Sequence, residues 1–199
     1  MIAPSRTFVA LVHHPVHDRT GRIVTSAVSN LDIHDIARVS RTYGLGGYYL
    51  CTPVEAQRAH VDNVLGHWRR STDRAATSRN DALALVRPVP RLEDAIADVE
   101  QACGARPFVI ATRAARRSGS LTAAEVRRRA GSASALLVCF GTGWGLADPV
   151  FDRVDSVLVP IDMGSGYNHL PVRAAVAIVL DRLLGAGMAT SSPGDKETP

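Results

Sequence analysis

Glycines 141, 143 and 145 close an apolar run that reads LLVCFGTGWGL over residues 136–146. A buried strand that empties into such a turn brings bare backbone to a sheet edge. There it can approach a ligand closely and take up positive φ. A tight turn and a ligand-lining loop both fit this pattern. A phosphate loop does not, because the Gly-x-x-x-x-Gly-Lys-Ser/Thr spacing is missing. A dinucleotide fingerprint fits poorly as well, since the last glycine is misplaced and no helix is apparent before Pro149. A second stretch runs IDMGSGYNHLPV from Ile161 to Val172. It passes through Asn168 and His169 into a helix whose small residues Ala174, Ala175 and Ala177 require tight packing. A flexible loop with a helix cap is the alternative reading. The third group is Asn30, His34, Asp35 and Arg38. His34 and Arg38 are four residues apart and share a helix face, which is either a site or a solvated charged face with Asp35 pairing to Arg38. His13, His14 and His17 are neighbours, but no cysteine or carboxylate cluster completes a tetrahedral metal set, so no metal is expected. Arg113, Arg116 and Arg117, the run at 127–129 and the arginines between 69 and 79 are solvated faces or phosphate contacts.

The elements that must position these residues alternate. Residues 8–13 read as a buried strand ended by Pro15, and a long polar loop, 14–25, follows. A helix over 31–43 has Asn30 as its cap and Gly44 as its stop. Strand character returns at 47–52, and Pro53 opens a helix that runs to about residue 68. A short helix at 80–85, a strand at 86–89 and a helix at 92–102 come next. Strands at 108–111, 135–140 and 156–161 enclose a helix at 122–130, whose Thr122 and Glu125 make a capping box. An apolar helix over 170–184 ends the ordered part. Strands alternating with helices predict an α/β fold with a mostly parallel sheet. In such sheets ligands bind beyond the carboxyl ends of the strands, which is where the glycine stretches fall.

Composition sets outer limits. The chain has 199 residues, 46% hydrophobic and 21% charged, which suits one globular domain. Its net charge of +4 permits a polyanionic partner without demanding one, and Lys196 is the only lysine among 23 basic residues. Cys51, Cys103 and Cys139 are widely spaced and odd in number, which argues against a zinc site or a disulfide framework and suits a reducing compartment. The N-terminus lacks a signal-peptide layout, and no apolar run reaches the roughly 18 residues of a membrane helix. A cytoplasmic protein without membrane contact is the expectation.

Taken in order, the Asn30 to Arg38 helix, LLVCFGTGWGL and VLVPIDMGSGYNHLPVRAAVAIVLDRLL resemble the three motifs of the SPOUT methyltransferases. The chain is similar, more specifically, to a bacterial single-domain subfamily of RNA methyltransferases that depend on S-adenosylmethionine (SAM). The resemblance covers about residues 7–185. It implies a SPOUT domain over 1–185, a parallel sheet flanked by helices with a C-terminal trefoil knot, and a flexible tail at 186–199. It further implies that SAM, leaving as S-adenosylhomocysteine, is held by three loops. The first contains Thr112 and Arg113. The second holds Gly141, Thr142, Gly143, Trp144, Gly145 and Leu146. The third runs from Ile161 through Gly164, Tyr167, His169 and Leu170 to Val172.

The same resemblance implies a homodimer with the site completed across the interface, and methyl transfer to RNA, tRNA or rRNA. Two departures bear on the acceptor atom. Thr142 stands where ribose-methylating relatives carry Glu, and His169-Leu170-Pro171 replaces Ser-Leu-Asn. Base methylation therefore stands at least level with ribose methylation. Family position puts Arg38 near the target, oriented by Asn30. A guanidinium stays protonated, so positioning suits Arg38, while the imidazole of His169 or His34 is the better proton acceptor. A SAM-binding regulatory or scaffold protein on the same fold, without catalysis, is the alternative.

Overall fold

The computed structural model describes residues 3–70 and 77–185. Arg74, grouped above with possible phosphate contacts, and the tail expected at 186–199 lie outside the described residues. Eight strands and seven α-helices follow one another: β1 (Thr7–Val12), β2 (Val16–His17), β3 (Ile23–Val24), α1 (Asn30–Thr42), β4 (Gly47–Cys51), α2 (Glu55–Arg70), α3 (Thr77–Leu83), β5 (Val86–Val89), α4 (Leu92–Cys103), β6 (Phe108–Ala111), α5 (Ala123–Ala130), β7 (Leu136–Gly141), α6 (Asp148–Phe151), β8 (Ser156–Val157) and α7 (Val172–Leu184). Six strands form one parallel sheet in the order β5-β4-β1-β7-β6-β8. From β1 the chain first builds outward to β4 and β5. It then crosses to β6 on the far side and returns to insert β7 against β1. The crossovers thus leave β1 in opposite directions, and the β1/β7 boundary is the topological switch point where α/β sheets bind ligands.

The central strands are buried on both faces, as a sheet covered by helices requires. Val9, Leu11, Tyr48, Leu50, Val138 and Phe140 point to one face, where α1, α2, α3, α5 and α7 contribute Ile33, Ile36, Leu65, Leu83, Val126 and Leu180. Ala10, Val12, Tyr49, Cys51, Leu137 and Cys139 point to the other, against Ala95 and Val99 of α4 and Val150 of α6. In α7, Val176, Val179, Leu180, Leu183 and Leu184 are buried, each such side chain contributing about 1.5–3 kcal/mol over exposure. Cys51 and Cys139 are buried free thiols, and burial pushes both up in pKa.

Several boundaries differ from the sequence reading. The polar loop at 14–25 contains the antiparallel pair β2–β3, closed by Asp18, which accepts from Thr20 N and Arg22 N, and by Gly21 at φ +80°. Ser29, not Asn30, caps α1: its hydroxyl accepts from Asp32 N at 3.1 Å and donates to the Asp32 carboxylate at 2.7 Å. A short helix, α6, does follow the glycine turn at 141–145, with Pro149 in its first turn. The strand expected over 156–161 pairs only at Ser156 and Val157; Pro160 cannot donate to a ladder, and the chain departs there. The last helix begins at Val172 rather than Leu170, because Pro171 disfavours helical backbone in the residue before it.

Candidate active site

A cavity of about 810 Å³ opens at the carboxyl edge of the sheet, around the switch point. Three loops wall it. The first leaves β6, where Thr112 is fixed by its backbone N–H and its hydroxyl, both donating to Cys139 O at 2.9 and 3.0 Å. Arg113 follows, its guanidinium 5.3 Å from the centre of the Phe151 ring.

The second loop leaves β7 and is latched by the β2–β3 hairpin. His17 N donates to Gly145 O, Trp144 N donates to His17 O, and Val16 bridges to Leu146. Gly143 sits at φ +60°, and a Cβ there would stand 3.0 Å from His17 O. Glycine is needed on both counts. Behind this loop, Thr142 hydrogen-bonds Ser26 through their hydroxyls, and Ser26 meets His13 Nδ1 at 2.9 Å. His13 is wholly buried with Nε2 unpartnered. Burial pulls its pKa down to about 4 despite the opposing pull of Asp32. His14 and His17 instead bond locally, to Thr25 and Gly21 O.

The third loop leaves β8. Leu158, Val159, Pro160 and Ile161 line the cavity, followed by Asn168, His169, Leu170, Pro171 and Val172. Asn168 Nδ2 donates to Ala114 O at 2.7 Å and so ties the third loop to the first. His169 stands edge-on to Trp144 and to Tyr167, at 6.3 and 5.2 Å between ring centres.

The structure therefore gathers Thr112, Arg113, Gly141, Thr142, Gly143, Trp144, Gly145, Leu146, Ile161, His169, Leu170 and Val172 around one space. Gly164 and Tyr167 lie on the exposed part of the third loop, beyond the wall. Asn30 and Arg38 lie on the exposed side of α1 and do not line the cavity; Asn30 Oδ1 meets His60 Nε2 at 3.0 Å. His34 packs edge-on against Trp68 outside the cavity, and its pKa is lowered, first by burial and then by Arg79.

Sequence reading missed Ser26, Asp32 and Asp148, which also line the wall. Asp32 is 8% exposed and is held by Arg173 of α7 at 3.5 Å, while Arg173 also reaches Asp35 at 3.2 Å. The Ser29-x-x-Asp32 spacing, a helix-start pattern, was the available clue to Asp32.

A parallel sheet with a ligand cavity at its switch point, walled by three loops, defines a class, and solved structures share the fold. A TrmH/SpoU tRNA modifying enzyme from A. aeolicus superposes with a TM-score of 0.60 at 13% identity, covering 93% of this chain and 77% of that one. The SpoU methyltransferase AviRb from Streptomyces viridochromogenes, in complex with the cofactor AdoMet, gives 0.56 at 14% identity, covering 92% and 58%. The fold is that of the SPOUT methyltransferases. At the level of sequence, the profile of a SAM-dependent RNA methyltransferase family matches residues 6–185, and the chain belongs to that family. A tRNA (guanine-N(1)-)-methyltransferase from Oleidesulfovibrio alaskensis is 49% identical over 179 residues, 89% of this chain but 42% of that protein. The chain thus spans under half the length of that relative. A protein of Aquifex aeolicus of unassigned function is 35% identical over 178 residues, 88% of this chain and 87% of that one.

Proposed function

We propose that this protein transfers a methyl group from SAM, bound in the cavity of the three loops, to a base or ribose of a structured RNA, with tRNA the favoured substrate. The observation that carries the reading is the cavity itself, a glycine-loop pocket at the switch point of a chain that belongs to a SAM-dependent RNA methyltransferase family. Its residues fit such a cofactor. The volume lies within the roughly 300–1,000 Å³ of small-molecule pockets. Phe140, Leu158 and Val179 give apolar surface suited to an adenine, and Asp32 gives an anion suited to a cationic sulfonium or ammonium. At Gly145 a Cβ would meet nothing within 4 Å, so bare backbone faces open space.

When bound, SAM supplies an electrophilic methyl group on sulfur, which leaves the chain to align the acceptor and take up a proton. His169, at the cavity wall, is the proton acceptor in this reading; His34 is turned away against Trp68. Arg38, with Asn30 on the same helix, positions the target through electrostatics. That α1 holds these residues outside its own cavity supports completion of the site in a homodimer, with Arg38 and Asn30 serving the partner's cavity. The knotted threading of the segment after β7 belongs to the same proposal, supported by α7 packing back on α1, α5 and β7. Among the described residues no helix is long and apolar enough to cross a membrane, and a cytoplasmic location is part of the reading.

The test is transfer of tritiated methyl from labelled SAM into total cellular RNA. Label that ribonuclease releases and protease does not supports the reading. Label in protein, or none while SAM binds, contradicts it.

A further inference from the structure

We infer that the rim of the cavity is a stacking platform for one unpaired nucleobase of the RNA, with Trp144 and Tyr167 supplying the rings. This rests on the methyltransferase reading above and reassigns these two side chains from cofactor to substrate.

Trp144 is 64% exposed and Tyr167 73% exposed, although both are among the largest apolar side chains of the molecule. His169 sits between them, at interplanar angles of 69° and 70°. Edge-on packing of this kind orients the rings and leaves at least one face each of Trp144 and Tyr167 clear of His169, and a ring face is what a base stacks on. The backbone that carries the indole is braced: Trp144 N donates to His17 O at 3.0 Å, Gly145 N donates to Thr142 O, and the flanking glycines adopt φ +60° and +103°. The ring is therefore presented by a braced loop.

Charge beside the platform matches an RNA strand. Arg113, Arg116 and Arg117 are exposed on the first loop, which Asn168 ties to the loop bearing Tyr167. Among the described residues none of the three pairs with a carboxylate. The guanidinium carbons of Arg113 and Arg117 lie 5.3 and 5.1 Å from the centre of the Phe151 ring, which holds both heads in place while their N–H donors stay available to phosphate. Phosphates along these arginines would place an adjoining base at the rings. A base inside a duplex cannot present its face, so the occupant is a looped-out or single-stranded nucleotide.

The molecule has two tryptophans, Trp68 and Trp144. In a Trp68→Phe protein the fluorescence reports Trp144 alone. Titration with hexa-adenylate at saturating SAM should quench it, whereas inorganic polyphosphate of equal charge should not. In parallel, anisotropy of labelled hexa-adenylate is compared between the otherwise unaltered protein and Trp144→Ala or Tyr167→Ala. This arm holds even if Trp68→Phe fails to fold. Each loss should weaken binding by about 5- to 150-fold, the range of single base–aromatic stacks, and Trp144→Phe should restore most of it. Equal quenching by polyphosphate, no binding of hexa-adenylate, or unchanged affinity in both alanine variants overturns the platform. So does dissociation of a dimer on Trp144→Ala with RNA affinity intact. SAM binding by the unaltered protein, measured separately, keeps the cofactor reading standing in each of those cases, and its absence would count against that reading instead.

Discussion

Adding one methyl group at Gly141 tests whether the second glycine loop is part of the cofactor wall. Gly141 ends β7 in register with Val12 of β1. A Cβ placed there would lie 2.7 Å from Leu146 N, 2.9 Å from Leu146 Cγ and 3.0 Å from its Cδ2. The backbone nitrogen cannot swing aside as a side-chain tip can, so the whole turn 142–146 must move. Leu146 is 5% exposed and bridged to Val16, and the turn carries Thr142, bonded to Ser26. Overpacking of this kind costs about 1–3 kcal/mol. If SAM binding requires the native turn, that cost becomes an affinity loss of roughly 5- to 150-fold, at about 1.4 kcal/mol per decade. The control is Gly21→Ala, at φ +80° in the hairpin turn with nothing within 4 Å of the new Cβ. It carries backbone strain of about 1–2 kcal/mol but no intrusion on the wall. Calorimetric titration of SAM, with thermal melts of each protein, separates the two. Gly141→Ala should lose affinity and Gly21→Ala should keep it while melting earlier. Full SAM affinity in Gly141→Ala would refute the reasoning.

Other expectations follow from single side chains. His13 has a folded pKa of about 4 against an ordinary 6.5, so the unfolded chain binds the extra proton first. Stability on this account is present above pH 6.5 and is lost as pH falls towards 4, by about 3 kcal/mol in all. Urea melts across that range should show a steeper acid loss in the natural protein than in His13→Asn, and identical slopes would count against it. Arg38→Ala should lower turnover by roughly tenfold or more with SAM affinity nearly intact, since Arg38 lies off the cavity; activity within about threefold would remove its role. Asp32→Asn should weaken SAM binding and loosen the α1–α7 contact made through Arg173. Unchanged affinity would exclude Asp32 from the wall's electrostatics.

The sheet was readable because its central strands are short, continuous apolar runs, and the glycine turn that ends β7 marked the cavity. Three features were hidden for physical reasons. The β2–β3 hairpin has only two residues per strand, too few for any alternation to register. Asp32 reads as a helix-start carboxylate, and only the return of α7 with Arg173 makes it part of the wall. Ser26 is one hydroxyl among Thr25, Ser26 and Ser29, with nothing local to single it out, and is brought to Thr142 by a contact 116 residues distant in the chain. Tyr167, conversely, sits in a glycine loop that reads as ligand-lining, yet the loop bows outward and leaves the ring in solvent.

On this reading the switch-point cavity binds SAM. Calorimetric titration of SAM and S-adenosylhomocysteine into the dialysed protein, beside Gly143→Trp, tests it most directly. An indole at 143 would collide with the hairpin carbonyl of His17 and occupy the loop. The account predicts micromolar binding of both ligands to the natural protein and its loss in the variant. Folded protein, free of carried-over ligand, that binds neither would contradict it.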